Sequence, residues 1–186
     1  MKSKAPKKQP AVKGESLTTF LLLIVVIVTA FVFSNATSGA WQTNWDDNIY
    51  ILNNPHVTNF SIPEIFTSID EDNYHPLTTL SYAIEYKLSG YDAQKFHLHN
   101  IILHLINVVL LFFLLKRLSL KPILAIVVSL LFAIHPMRVE SVTWISERKD
   151  LLYSLFFFVS LIFYVRYTPV SYTHLRAHET KANLVC

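Results

Sequence analysis

The sequence predicts an all-α, polytopic helical membrane protein: four transmembrane helices, with amphipathic surface helices in the first outer loop. Three observations carry that reading. Apolar residues make up 52% of the 186 residues and the mean hydropathy is +0.37, both high for a soluble domain. Glycine occurs only three times, which disfavours a loop-rich fold. Four segments are apolar enough, over 15 to 17 residues, to be read as membrane spans of about 17 to 25 residues. The net charge of +3 is small, and no run of basic residues interleaved with aromatics suggests a nucleic-acid face.

Residues 1–16 carry Lys2, Lys4, Lys7, Lys8 and Lys13 among prolines and small polar residues, a basic tail. The run "LTTFLLLIVVIVTAFVF" at 17–33 follows without a charge. It competes between an uncleaved anchor and a secretory signal. Its length exceeds the roughly 7 to 15 residues of a signal core, which favours the anchor. The second span is "HNIILHLINVVLLFFLL" at 99–115. The third is "LSLKPILAIVVSLLFAI" at 118–134, where Lys121 is near enough to the end to snorkel. The fourth is "LLYSLFFFVSLIFYV" at 151–165, extended by Tyr167.

Lysine and arginine placement sets the orientation. The basic tail and the turn holding Lys116, Arg117 and Lys121 lie two spans apart and are both assigned to the cytoplasm. The amino terminus is then inside, in a bacterial inner membrane or the endoplasmic reticulum. Loop 34–98, with eight acids against Lys87 and Lys95, lies outside, as does segment 135–150. That second outer segment is unusually basic for its side, with Arg138, Arg148 and Lys149.

The long outer loop is patterned. Ser61 stands three residues before Glu64 with Pro63 between them, a capping-box arrangement ahead of Ile65, Phe66 and Ile69. After "YHP", Leu77, Leu80, Ile84 and Leu88 recur at helical spacing and Gly90 supplies a stop. Two short amphipathic helices on the membrane surface are expected there.

Residues 170–186 resemble one reading frame of a transposon-type sequencing adapter, in "VSYTHLRAHET" and "NLVC". They are expected to be non-native and are set aside from the fold. With them go Cys186, the only cysteine, and His174 and His178. On that expectation the natural sequence is interrupted near Thr168, and the chain is the amino-terminal part of a longer protein.

Four constellations could carry chemistry. Asp46 and Asp47 follow Trp45 a dozen residues after the first span. A carboxylate just outside the bilayer can act as a general base or meet a cation, or be a solvated acidic turn. His75 precedes Pro76 at a helix start and could donate to a phosphate or simply cap the helix. His97, Asn100, His104 and Asn107 share one helical face of the second span. They suggest interhelical hydrogen bonding or a wet cavity. Finally, "HPMRVESVTWISERKDLL" gathers His135, Arg138, Arg148 and Lys149 with Glu140 and Asp150. Such a cluster suits a lipid-linked phosphate, or forms surface salt bridges.

As a set these motifs resemble the GT-C class of polytopic glycosyltransferases. They look most like the branch with carboxy-terminal tetratricopeptide repeats, related to the transmembrane O-mannosyltransferases (TMTC) and their bacterial counterparts. The resemblance rests on Asp46, Asp47, Asn53, Asn54 and Pro55, on Tyr74 to Leu77, and on His135, Pro136, Glu140, Ser141, Val142, Arg148, Asp150 and Leu151. His75 stands where relatives often have arginine. The resemblance implies transfer of a sugar, mannose among the candidates, from a polyprenyl-phosphate carrier to a hydroxyl acceptor, on a protein, at the outer face. Asp46 and Asp47 would be catalytic. His75, Arg138 and Arg148 would hold the donor phosphate, supported by His135, Glu140, Asp150 and His104. No metal ligand set is complete, though a divalent cation at the aspartate pair stays open. The partners implied are the bilayer, a lipid-linked sugar and an acceptor protein, with no nucleic acid. GT-C cavities need more than four helices, so this stretch alone would be inactive. The competing expectation is a non-catalytic membrane anchor for a downstream repeat domain.

Overall fold

The computed structural model describes residues 12–70 and 73–167, with side chains from Ser16 onward. Most of the basic tail and the whole adapter-like stretch, with Cys186, His174 and His178, lie outside the described residues. Among those residues the chain is helical, with one isolated bridge between Asp70 and Asn73.

Four helices form the bundle: α1 (Val12–Phe33), and, after the outer loop, three more. The loop itself holds α2 (Pro55–Thr58), α3 (Ile62–Thr67) and α4 (Pro76–Ser89). Then come α5 (Ala93–Arg117), α6 (Pro122–Ile134), the short α7 (Arg138–Thr143) and α8 (Arg148–Tyr167). Phe33, at the end of α1, meets His104 edge-on at 5.3 Å. Two turns earlier on α1, Val25 shares an apolar cluster with Val108 and Phe112, further along α5. The two helices therefore run antiparallel. Ala125 and Ala133 of α6 join the same cluster, and the turn at 118–121 reverses the chain. Asn100 and then Asn107 of α5 meet Arg148 and then Leu151 of α8, so α5 and α8 run parallel. Both outer segments, 34–92 and 135–147, consequently gather at one end of the bundle, opposite Lys116, Arg117 and Lys121.

Among the described residues three helices are long and apolar enough to cross a membrane: Ser16–Ser38, Ala93–Arg117 and Ile145–Tyr167. The expected span at 118–134 is realised as a 13-residue apolar helix, about 20 Å long, against about 30 Å of hydrocarbon. The reason is local. Ser119 adopts a left-handed φ of 64°, and Pro122 lacks the amide that a helix continuing through it would need. Residues 118–121 therefore make the turn, and α6 begins at Pro122.

The loop helices start and stop largely where the sequence places them. Ser61 precedes α3, but its side chain makes no cap bond, so the capping box is not formed. Asn54 does cap α2, accepting from the His56 amide at 2.8 Å. Gly90 ends α4 with a φ of 65°, a conformation glycine adopts without steric cost. The two faces of α4 differ. Leu77, Ile84 and Leu88 of the leucine stripe are exposed, while Thr78, Thr79, Tyr82, Ala83 and Glu85 face inward. In a chain that enters lipid, outward apolar residues cost nothing, and the polar face is the one that needs protein partners.

Candidate functional site

The polar stripe of α5 assembles the end of the bundle. His97, Asn100, His104 and Asn107 are all buried. Three of them pair with main-chain carbonyls at the end of α6, after α7 and in the first turn of α8. Asn100 donates to Trp144 at 3.1 Å, the His104 Nε2 pairs with the Ala133 carbonyl at 2.9 Å, and Asn107 donates to Leu151 at 2.9 Å. The Ala133 carbonyl sits in the last turn of α6, where carbonyls lack helical partners. The stripe thus bonds to the neighbouring helices and their connection, and the interhelical reading is the one realised.

Arg148 is 2% exposed. Its Nε donates to Asn100 Oδ1 at 2.7 Å, its Nη2 to the Phe96 carbonyl at 3.0 Å, and its Nη1 pairs with Glu85 Oε2 at 2.6 Å. The guanidinium also lies over the rings of Tyr82 and Phe96, 4.7 and 5.3 Å from their centroids. Glu85, on the inward face of α4, completes its coordination with His99. Tyr82 donates to the Ile145 carbonyl at 3.0 Å. Its burial pushes the hydroxyl well above the usual phenol range, against the opposing pull of Arg148. One buried cation thus ties α4, α5 and the start of α8 together, and its donors are spent inside the protein.

The aspartate pair divides. Asp47 is 1% exposed and its two oxygens accept from main-chain amides of different segments, Gln42 at 2.9 Å and Ser146 at 3.0 Å. It joins the first outer segment to the second across 99 residues of sequence. Asp46 is half-buried, makes no side-chain hydrogen bond among the described residues, and is a charge neighbour of Lys149.

Beside Lys149 opens a cavity of about 600 Å³. One wall is the entry to α4, from Tyr74 to Thr78. The other is one face of α8, with Lys149, Leu152, Tyr153, Phe156, Phe157 and Ser160. His75 and Lys149 stand at its polar end and the aromatic residues of α8 extend away from it. Pro76 fixes the start of α4 and leaves His75 in non-helical backbone just ahead of it. A small recess shared by Tyr50, Thr79, Tyr82 and Ser146 lies beneath the same His75 and Lys149.

The remaining sequence-derived candidates lie apart from this cavity. Arg138 begins α7 with its guanidinium 5.3 Å from the Phe132 ring centroid. His135 is exposed and its Nδ1 accepts from the Met137 amide at 3.2 Å. Glu140 is exposed on α7, and Asp150 accepts from the Ser141 hydroxyl at 3.1 Å. His104 is buried between Phe33 and Phe132. Among the described residues no three His, Cys, Asp or Glu side chains converge as a metal site would require. The sequence reading placed Lys149 in the cationic cluster without singling it out, and gave Glu85 no place in the site. The first follows a more conspicuous arginine. The second sits on a helical face whose apolar stripe pointed the other way.

No family model matches the chain, and no solved structure matches it. Curated relatives do. Human protein O-mannosyl-transferase TMTC3 is 32% identical over 173 residues, covering 82% of this chain and 18% of its own length. Human protein O-mannosyl-transferase TMTC4 is 31% identical over 169 residues, 77% of this chain and 22% of its own. Protein O-mannosyl-transferase F38B6.6 of Caenorhabditis elegans is 29% identical over 175 residues, 86% of this chain and 25% of its own. The chain therefore spans about a fifth to a quarter of the length of these relatives. Over most of its length, the chain is related to the TMTC protein O-mannosyl-transferases.

Proposed function

We propose that this chain forms the amino-terminal part of a membrane glycosyltransferase that moves a sugar from a polyprenyl-phosphate carrier to a hydroxyl group on an acceptor protein. The observation that carries the reading is the cavity between α4 and α8. His75 and Lys149 line its polar end, with Asp46 outside the lining as a charge neighbour of Lys149, and its length is apolar. A phosphate on a hydrocarbon tail has that same division.

In this reading the acceptor oxygen attacks the anomeric carbon of the sugar. Its proton passes to the Asp46 carboxylate, and the bond from sugar to phosphate oxygen breaks. The electron pair of that bond leaves on the polyprenyl phosphate. Cationic groups at the cavity mouth stabilise the charge that grows there. Asp47 takes a different part: with both oxygens occupied by amides, it positions Asp46 against the second outer segment. The amino terminus is cytoplasmic and the cavity opens on the opposite face. The stretch described here is inactive without the rest of the protein.

The test is sugar transfer by the full-length protein from a lipid-linked donor. A positioned base is worth roughly 10² to 10⁴-fold, so Asp46→Asn should lower kcat by that order while the protein inserts normally. Undiminished transfer by Asp46→Asn would remove the assignment. Failure of the wild-type protein with every donor and acceptor offered would favour a membrane anchor.

A further inference from the structure

Resting on that functional reading, we propose that Lys149 is the residue that contacts the carrier phosphate, and that Glu147 holds its ammonium as a stand-in anion until the phosphate arrives. The three cations of the second outer segment have different fates. Arg148 is sealed among Glu85, Asn100 and Phe96. Arg138 lies over Phe132 and does not line the α4–α8 cavity. Lys149 lines both that cavity and the recess beneath it, with its side chain 34% exposed.

Its Nζ is 2.9 Å from Glu147 Oε1, and Asp46 adds a second negative neighbour. An ammonium has three donors, so one bond to Glu147 leaves two for another anion. Glu147 is two residues away on the short helical turn Ile145–Glu147, so it can release the lysine by a side-chain rotation. A phosphate competing for the same ammonium carries its charge on several oxygens and also finds His75 on the opposite wall. The apolar residues of α8 below Lys149 favour a phosphate that bears a long hydrocarbon chain over a free one.

The two halves of the proposal predict opposite signs. With the full-length protein in phosphatidylcholine nanodiscs, equilibrium binding of radiolabelled polyprenyl monophosphate should weaken by about tenfold or more in Lys149→Gln, the loss of a charge-assisted hydrogen bond. Lys149→Arg should keep most of the binding. Glu147→Gln should tighten it by about two- to fivefold, the release of a partly exposed ion pair. Wild-type binding by Lys149→Gln would overturn the phosphate contact. Should that variant not fold, loss of binding in a folded Lys149→Arg protein would count against simple charge recognition. Weaker binding in Glu147→Gln would overturn the stand-in role. Competition by inorganic phosphate at equal concentration would overturn the lipid carrier as ligand. Because binding is read without transfer, lysine-dependent binding in a protein that moves no sugar would sink only the enzyme reading. Transfer with lysine-independent binding would sink only this one.

Discussion

Replacing Arg148 by methionine tests the architecture most directly. The change keeps much of the side-chain length and removes the charge. Glu85, 3% exposed, would be left as a buried carboxylate facing His99 alone, while Asn100 Oδ1 and the Phe96 carbonyl would lose their donors. Breaking a buried ion pair from one side costs about 3 to 5 kcal/mol. Loss of the cation over Tyr82 and Phe96 adds about 0.5 to 2 kcal/mol. Arg148→Met should therefore be severely destabilised. Glu85→Gln should also lose stability, because the guanidinium then lacks its counter-charge. The double variant Arg148→Met with Glu85→Gln should be more stable than Arg148→Met alone, since neither charge is then stranded. Thermal unfolding of the purified protein in detergent, followed by tryptophan fluorescence, measures all four corners of the cycle. If Arg148→Met unfolds like the wild type and loses only phosphate binding, the residue belongs to the donor site and the buried-hub reasoning is refuted.

Other consequences are narrower. A Cβ on Gly39 would fall 2.7 Å from His97 Nε2 and 3.0 Å from the Ala36 carbonyl, so Gly39→Ala should cost about 1 to 3 kcal/mol in the same unfolding assay. His97→Ala should recover part of that loss. Asp47→Ala should strand the buried Ser146 amide, at about 1 to 3 kcal/mol, and release the exposed Gln42, so that cysteine labelling finds residues 42 to 46 more accessible. Asn107→Leu removes the donor to the Leu151 carbonyl and should cost about 0.6 to 1.7 kcal/mol, the range for hydrogen bonds between membrane helices. Tyr82 gives a pH signature. Its native pKa is raised by burial, so above the ordinary phenol value of about 10 the unfolded chain deprotonates first. The stability Tyr82 contributes is intact below that pH and falls as pH rises through the interval, and Tyr82→Phe should flatten that part of the profile.

What the sequence reveals depends on how many ways a pattern can be satisfied. The stripe of His97, Asn100, His104 and Asn107 was legible because polar groups on one face of an otherwise apolar helix have few tolerable environments. Their burial, with Asn100, His104 and Asn107 bonded to main-chain carbonyls of other segments, is what that scarcity requires. The leucines of α4 were legible as the apolar face of a membrane-surface helix, and the exposure of Leu77, Ile84 and Leu88 fits that reading. What their spacing does not disclose is that the opposite face buries Glu85 against Arg148. The third span was overextended because hydropathy ignores the turn imposed by Ser119 and Pro122.

The site shows the same limit at finer scale. Asp46 and Asp47 are adjacent, as are Arg148 and Lys149, and neighbouring residues on a helical backbone point about 100° apart. Sequence can bring such a pair to the right loop, but only packing decides which member faces inward. In both pairs the inward member binds main-chain groups of another segment, Asp47 to the Ser146 amide and Arg148 to the Phe96 carbonyl. The outward members, Asp46 and Lys149, become charge neighbours, and Lys149 lines the cavity. The inward charges need that arrangement because an isolated ion cannot remain buried without partners. Once they are fixed, the outward pair has little freedom left in where it sits. The structural and reactive roles are thus coupled through the backbone. If the proposed transfer reaction is right, a substitution at Asp47 or Arg148 should lower it by moving Asp46 or Lys149, although both buried residues spend their polar atoms on other segments of the protein.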